Sequence, residues 1–253
     1  MEPVIEFLNI QKSFGQHKVL KSVSFPIYEN EIIGLVGKSG GGKTTLLRLL
    51  MGFYNSDKGK IYYEGKDVSK NLHHLRSNIG FTTQESSFYS KLTVKENLLY
   101  FGQMYDISKK DLLSRIPSIL GLMKLAKNID DRAENLSCGM KRRLDFAISL
   151  VHDPKVLILD EPTTGLDPIL RDEIWQIIWN IREYGKTIIV STHFFNELEK
   201  HCHRIAILHE GKIISVQSPD WYSTNYFPSF EKTFAYFLEC VKKKQVVVTG
   251  VNK

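Results

Sequence analysis

The chain lacks the features that would carry it across a membrane or out of the cell. No run approaches the roughly 18 apolar residues that a spanning helix needs. The opening residues, MEPVIEFLNI, lack the basic start and apolar core of a signal peptide. A protein neither integral to a membrane nor secreted is expected. Cysteine is scarce: Cys138, Cys202 and Cys240 are the only three, and none has CxxC spacing. That suits a reducing cytosol and argues against a disulfide framework. Excess charge is also small, 34 Lys and Arg against 28 Asp and Glu. Lys242, Lys243, Lys244 and Lys253 supply four of the six surplus charges, in a tail without acids. The nearly balanced body offers no basic face, so no nucleic-acid partner is expected. The tail reads as a solvated end, with contact to anionic lipid as the alternative.

What is present is an alternation of strand and helix signals, without internal repeat or low-complexity linker. Val4 to Ile10 and Val19 to Ile27 show strand patterning, and Ile32 to Val36 is a short buried run entering a glycine cluster. Thr44 to Met51 continues with helical spacing. Thr93 to Leu125 reads as helical throughout, with Pro117 expected to kink or split it and Ser108 with Asp111 as a capping start. Ile79 to Thr82, Val156 to Leu159 and Thr187 to Val190 read as strands, the last two of buried parallel type. Ile169 to Tyr184 is one amphipathic helix. Arg204 to Leu208 and Lys212 to Val216 flank Glu210-Gly211 as a hairpin. The chain therefore reads as α/β with an inserted helical lobe near 86–150.

Gly37-Lys38-Ser39-Gly40-Gly41-Gly42-Lys43-Thr44 fits G-x-x-x-x-G-K-[ST], with a buried strand before it and a helix after it. Its glycines permit successive N–H groups to face an anion, and the following helix adds its positive end. Lys43 is expected on the β- and γ-phosphates, and the Thr44 hydroxyl on Mg²⁺, with Thr45 beside it at the start of the helix. Val156 to Leu159 ends in Asp160-Glu161, at a strand end where α/β sheets place ligand groups. Asp160 can hold Mg²⁺, and Glu161 can serve as general base on the attacking water. Alone, such a pair is more often a helix cap or a solvated turn; Lys43 and Thr44 in the same chain reverse that balance. His201-Cys202-His203 lacks a fourth ligand at sensible spacing, and a metal reading is set aside.

Leu136-Ser137-Cys138-Gly139-Met140, ahead of the Asp160 strand, resembles the LSGGQ signature of ATP-binding-cassette (ABC) ATPases. Further elements fall in that family's order. Phe14 stands where the family stacks an aromatic on adenine, and Gln84 stands at the family's Q-loop. Thr164-Gly165-Leu166-Asp167 resembles its D-loop, and His193 its switch histidine. The likeness covers roughly residues 4 to 217. LSCGMKRRLDFAISLVHDPKVLILDEPTTGLDP and LTVKENLLYFGQMY look like exporters whose ATPase is a separate chain from the permease.

The resemblance implies a P-loop NTPase fold with a β-rich antiparallel N-terminal part, a parallel core sheet and a helical lobe. It implies an ATP-binding domain over 1–227, then a C-terminal helix and basic tail over 228–253. ATP and Mg²⁺ are the implied cofactors, with Gln84 approaching the metal. The implied partners are a transmembrane permease and a second ATPase, identical or paralogous, at the cytoplasmic membrane face. In that pair Ser137 and the Gly139 N–H address the partner's γ-phosphate, Asp167 lines the seam, and His193 contacts the γ-phosphate and orients water or Glu161. Phe88 and Tyr89 read either as packing or as the floor of a groove for a permease helix. Cys138 departs from the family's glycine and implies slower hydrolysis. The alternative reading is a soluble ABC ATPase driving an assembly or repair partner. A third is a nucleotide-gated binding module without turnover, against which Lys43, Asp160, Glu161 and His193 argue.

Overall fold

A computed structural model describes residues 2–226 together with Lys232, Ala235, Tyr236 and Glu239. The C-terminal helix and basic tail expected over 228–253 lie, those four residues apart, outside the described residues. Contacts divide the chain into two units, Met1–Leu75 with Ile189–Lys253, and Arg76–Ile188.

The first unit is built on strands whose apolar residues alternate or run together. β1 (Ile5–Phe14) and β2 (His17–Ile27) pair antiparallel, placing Phe7 opposite Phe25 with their rings stacked at 4.8 Å. β4 (Lys58–Tyr63) pairs antiparallel with the other edge of β1, and β5 (Lys66–Asp67) with β4. β9 (Arg204–His209) and β10 (Lys212–Gln217) form the expected hairpin. Glu210 and Gly211 both take positive φ in its turn, 46° and 78°, as a two-residue right-twisted hairpin requires. β3 (Ile32–Val36) is buried at all five residues and runs parallel to β9. With β8 (Thr187–Thr192) the strand order is β5-β4-β1-β2-β10-β9-β3-β8, antiparallel at one end and parallel at β3–β9. α1 (Lys43–Leu50) leaves the glycine loop after β3, and α7 (Phe195–His201) and α8 (Pro219–Asn225) belong to the same unit.

In the second unit β6 (Ile79–Thr82) pairs parallel with β7 (Val156–Asp160), preceded by α2 (Leu72–Asn78), whose start belongs to the first unit. α3 (Val94–Gln103), α4 (Lys109–Leu122) and α5 (Cys138–Leu150) pack together, and α4 also meets α6 (Pro168–Glu183). Pro117 does not split its helix: α4 runs through it, and the break falls at 104–108, where Asp106 takes φ 58°. Pro117 and Leu113 both lie on the exposed face, so water can satisfy the carbonyl that proline leaves without a donor. Ser108 accepts from the Asp111 N–H at 3.1 Å and starts α4 anew.

Candidate active site

The first unit carries the loop between β3 and α1. Gly37 is pressed against β9: a Cβ there would lie 2.3 Å from the Leu208 carbonyl oxygen. Gly42, the residue before α1, takes φ 101°, a conformation residues with side chains rarely adopt. The Gly41 N–H donates to the Lys38 carbonyl at 2.9 Å and closes the loop into a tight turn. Lys43 is buried, and its Nζ donates to the Gly37 carbonyl at 2.9 Å, folding the cation back over the loop. Lys38, Ser39 and Gly40 are exposed along its outer side. A cationic side chain over a tight glycine turn at a helix start is a chemical fit for a polyphosphate. Thr44 and Thr45 follow in the first turn of α1, half-buried.

Phe14 ends β1 with 44% exposure, a large aromatic face left to solvent. Tyr54 meets it edge-on at 5.3 Å, and Lys12 Nζ lies 5.4 Å from its ring centre. Lys12 is held in turn by the Asn55 carbonyl at 2.8 Å and Asp57 at 3.2 Å. His193 follows β8, exposed, with its ring 4.2 Å from that of Phe194.

The second unit holds the acids. β7 delivers Asp160 as its last residue, at 3% exposure. Glu161 then takes φ 52°, a left-handed conformation costing a residue with a side chain about 1–3 kcal/mol. The turn re-aims its side chain away from the direction a continuing strand would give. Thr164 Oγ1 donates to Glu161 Oε2 at 2.9 Å. Thr44 and Asp160 offer a hydroxyl and a carboxylate, hard oxygen donors of the kind Mg²⁺ prefers.

Asp167 caps α6, its Oδ1 accepting from the Ile169 and Leu170 N–H groups at 3.0 and 3.1 Å. Ser137 caps α5 by accepting from the Met140 N–H at 3.3 Å. Gly139 is buried, and a Cβ there would meet Leu170 at 3.0 Å, whereas Cys138 beside it is exposed. Gln84 is exposed just after β6.

One residue absent from the sequence reading ties these pieces together. Arg142, one turn into α5, donates from Nη1 to the Thr83 carbonyl at 2.8 Å and from Nε to Pro162 at 2.9 Å. Its Nη2 donates to the carbonyls of Asp160 and Glu161 at 3.1 and 3.0 Å. Burial pushes its pKa down, and Asp145, Asp160, Cys138 and Glu161 pull it back up; a guanidinium remains charged. Asp145, buried on the same face, accepts from the Ser87 N–H at 3.0 Å, and burial raises its pKa. The signal was available: Arg142, Asp145 and Ser149 stand at i, i+3 and i+7 on a face otherwise destined for the core. Within its unit the structure thus brings together Gln84's loop, the Asp160-Glu161 turn and the helix that starts at Ser137.

The profile of the family described as "ABC transporter" matches residues 20–164. A "Nod factor export ATP-binding protein I" from Paraburkholderia xenovorans (strain LB400) is 40% identical over 218 residues, covering 86% of this chain and 72% of that protein. One of the same name from Rhizobium sp. (strain N33) is 40% identical over 215 residues, covering 85% and 71%. Among solved structures, an ATP-binding subunit of an ABC transporter shares the fold with TM-score 0.82 and 23% identity, over 93% of this chain and 99% of that one. The cbiO1 protein of Clostridium perfringens, described as part of the ABC transporter complex cbiONQ, does so with TM-score 0.83 and 24% identity, over 97% and 100%.

Proposed function

Because the chain belongs to the ABC transporter family, we propose that it is the ATP-hydrolysing subunit of a membrane exporter, driving a separate transmembrane permease together with a second ATPase copy. ATP binding and hydrolysis are the family's general chemistry. The exporter reading is supported by relatives 40% identical over most of the chain that carry export in their names. No helix among the described residues is long and apolar enough to cross a membrane. The chain's place is the cytoplasmic membrane face, held there by the permease.

The roles follow from the chemistry of each side chain. Gly37 to Gly42 offer backbone N–H groups to the phosphates, Lys43 neutralises the β- and γ-phosphates, and Thr45 lies beside them. Phe14 presents its open face to adenine. Thr44, Asp160 and Gln84 would hold Mg²⁺, which supplies charge neutralisation at the phosphates when bound. Glu161 takes the proton of the attacking water, and His193 orients that water. Ser137 and the Gly139 N–H, at the positive end of α5, grip the partner's nucleotide, and Asp167 faces the partner. Phe88, half-buried, and Tyr89, 50% exposed with its hydroxyl 3.3 Å from that of Tyr100, are proposed to floor a groove for a permease segment.

The observation that carries the catalytic reading is Glu161 itself, a carboxylate on a strained turn with one oxygen held by Thr164. Glu161→Gln should bind ATP, trap a dimer on size exclusion and lose turnover in a phosphate-release assay; full activity would remove Glu161 from the role of base. Affinity purification from native membranes in mild detergent tests the exporter reading. A stoichiometric polytopic partner is expected, whereas recovery with soluble partners alone would overturn the transporter assignment.

A further inference from the structure

Arg142 and Asp145 sit one turn apart on α5, and both are buried. The direct hydrogen bonds of Arg142 all run to main-chain carbonyls rather than to a carboxylate. Those carbonyls belong to two places where a strand ladder stops. β6 ends at Thr82 and β7 at Asp160, so the groups just beyond need donors from elsewhere. The planar guanidinium fork supplies them in fixed relative positions, which a single ammonium nitrogen cannot do. Asp145 holds the far end of the first segment through the Ser87 N–H, with Ser87 Oγ at 3.3 Å. The loop bearing Gln84 is therefore gripped at both ends, Thr83 and Ser87, from one helix. The same guanidinium fixes the carbonyls of residues 160–162 around the left-handed Glu161.

We propose that Arg142 and Asp145 are positioning residues for ATP hydrolysis, a clamp on α5 that sets the Gln84 loop and the Glu161 turn in register with the helix start at Ser137. The proposal rests on the reading of Glu161 as base. A shift at the start of α5 is then transmitted through the Arg142 guanidinium to the Gln84 loop and the Glu161 turn. The hydrogen bonds of both clamp residues run to the protein's own backbone and to Ser87, not to the groups proposed to hold the nucleotide. Their loss should therefore lower turnover and leave ground-state binding in place.

The test uses the full chain and three measurements: ATP turnover, binding of a fluorescent ATP analogue, and hydrogen exchange of the backbone. Arg142→Gln should lower kcat about 100-fold, the cost of misplacing a catalytic group by an ångström. Binding of the analogue should stay within about 2-fold, and exchange should accelerate at 84–87 and 161–164 but not along α5. Arg142→Lys should recover little of the lost rate, because one nitrogen cannot serve both segments. Asp145→Asn keeps an acceptor for the Ser87 N–H and folds on volume grounds; it should show the exchange increase at 84–87 alone, with a smaller loss of kcat. If Arg142→Gln does not fold, Asp145→Asn decides. Unchanged kcat, or kcat lost in proportion to analogue binding and melting temperature, would overturn the proposal. Glu161→Gln measured alongside separates the two claims: full turnover there would sink the base assignment, whereas the exchange pattern reports on the clamp alone.

Discussion

Thr164 donates its hydroxyl to the carboxylate of Glu161 at 2.9 Å, three residues further along the same tight turn. Charge-assisted hydrogen bonds of this kind orient as well as stabilise. Thr164→Val keeps the shape and removes the donor. Its kcat should fall about 10-fold, about 1.4 kcal/mol of barrier, with ATP affinity unchanged, and Thr164→Ser should restore most of the rate. Steady-state phosphate release with both variants checks this; equal rates in Thr164→Val and wild type would show that the bond does not orient Glu161.

Gly37 tests whether the phosphate loop is held from behind. A methyl group there would stand 2.3 Å from the Leu208 carbonyl oxygen, which is backbone and cannot swing aside. Gly37→Ala should displace the loop from β9 and raise the ATP dissociation constant at least about 10-fold, together with a loss of stability of about 1–3 kcal/mol typical of overpacking. Gly121→Ala is the control: nothing lies within 4 Å of its Cβ position in α4, and the helix should gain about 0.5–1 kcal/mol. Isothermal titration and thermal melts on the two variants give opposite signs if the crowding at Gly37 matters.

His152 makes stability depend on pH. Burial is the main cause that lowers its pKa from 6.5 to about 4, with the Ile79 carbonyl opposing. Its ring lies 3.8 Å from that of Tyr105 at an interplanar angle of 3°. Because the folded-state pKa is depressed, its contribution is fully present above pH 6.5 and fades as pH falls toward 4. The melting temperature of the wild type, taken relative to His152→Phe, should therefore drop across that window and stay level above it. A difference independent of pH would mean that the ring is not buried as a neutral group.

The parts of this fold that were legible in sequence are those written locally. The phosphate loop is one contiguous motif between a buried strand and a helix, and the Glu210-Gly211 turn contains a glycine, the residue that takes positive φ without cost. Pro117 misled because its cost depends on which side of the helix it occupies, and it faces water. The spacing of Arg142 could place it on the core-facing side of α5, but not say what it holds there. Its acceptors are backbone carbonyls 18 to 59 positions away, groups that every residue carries and that leave no mark on composition or spacing. The left-handed backbone at Glu161 was equally hidden, since the two-acid motif specifies side chains and not a turn.

The first unit draws on both ends of the described chain, and this sets an order on its birth. Ile32 donates to His203 Nδ1 across 171 positions, and Leu208 forms the wall behind Gly37. During synthesis the glycine loop leaves the ribosome long before β9, the strand that backs it. Residues 76–188 emerge in between as one continuous stretch, free to fold first. A nascent chain halted before residue 204 would carry the complete phosphate-loop motif without its wall. Competence to hold a nucleotide should therefore arise late in translation, which delays ATP binding until nearly the whole domain has been made.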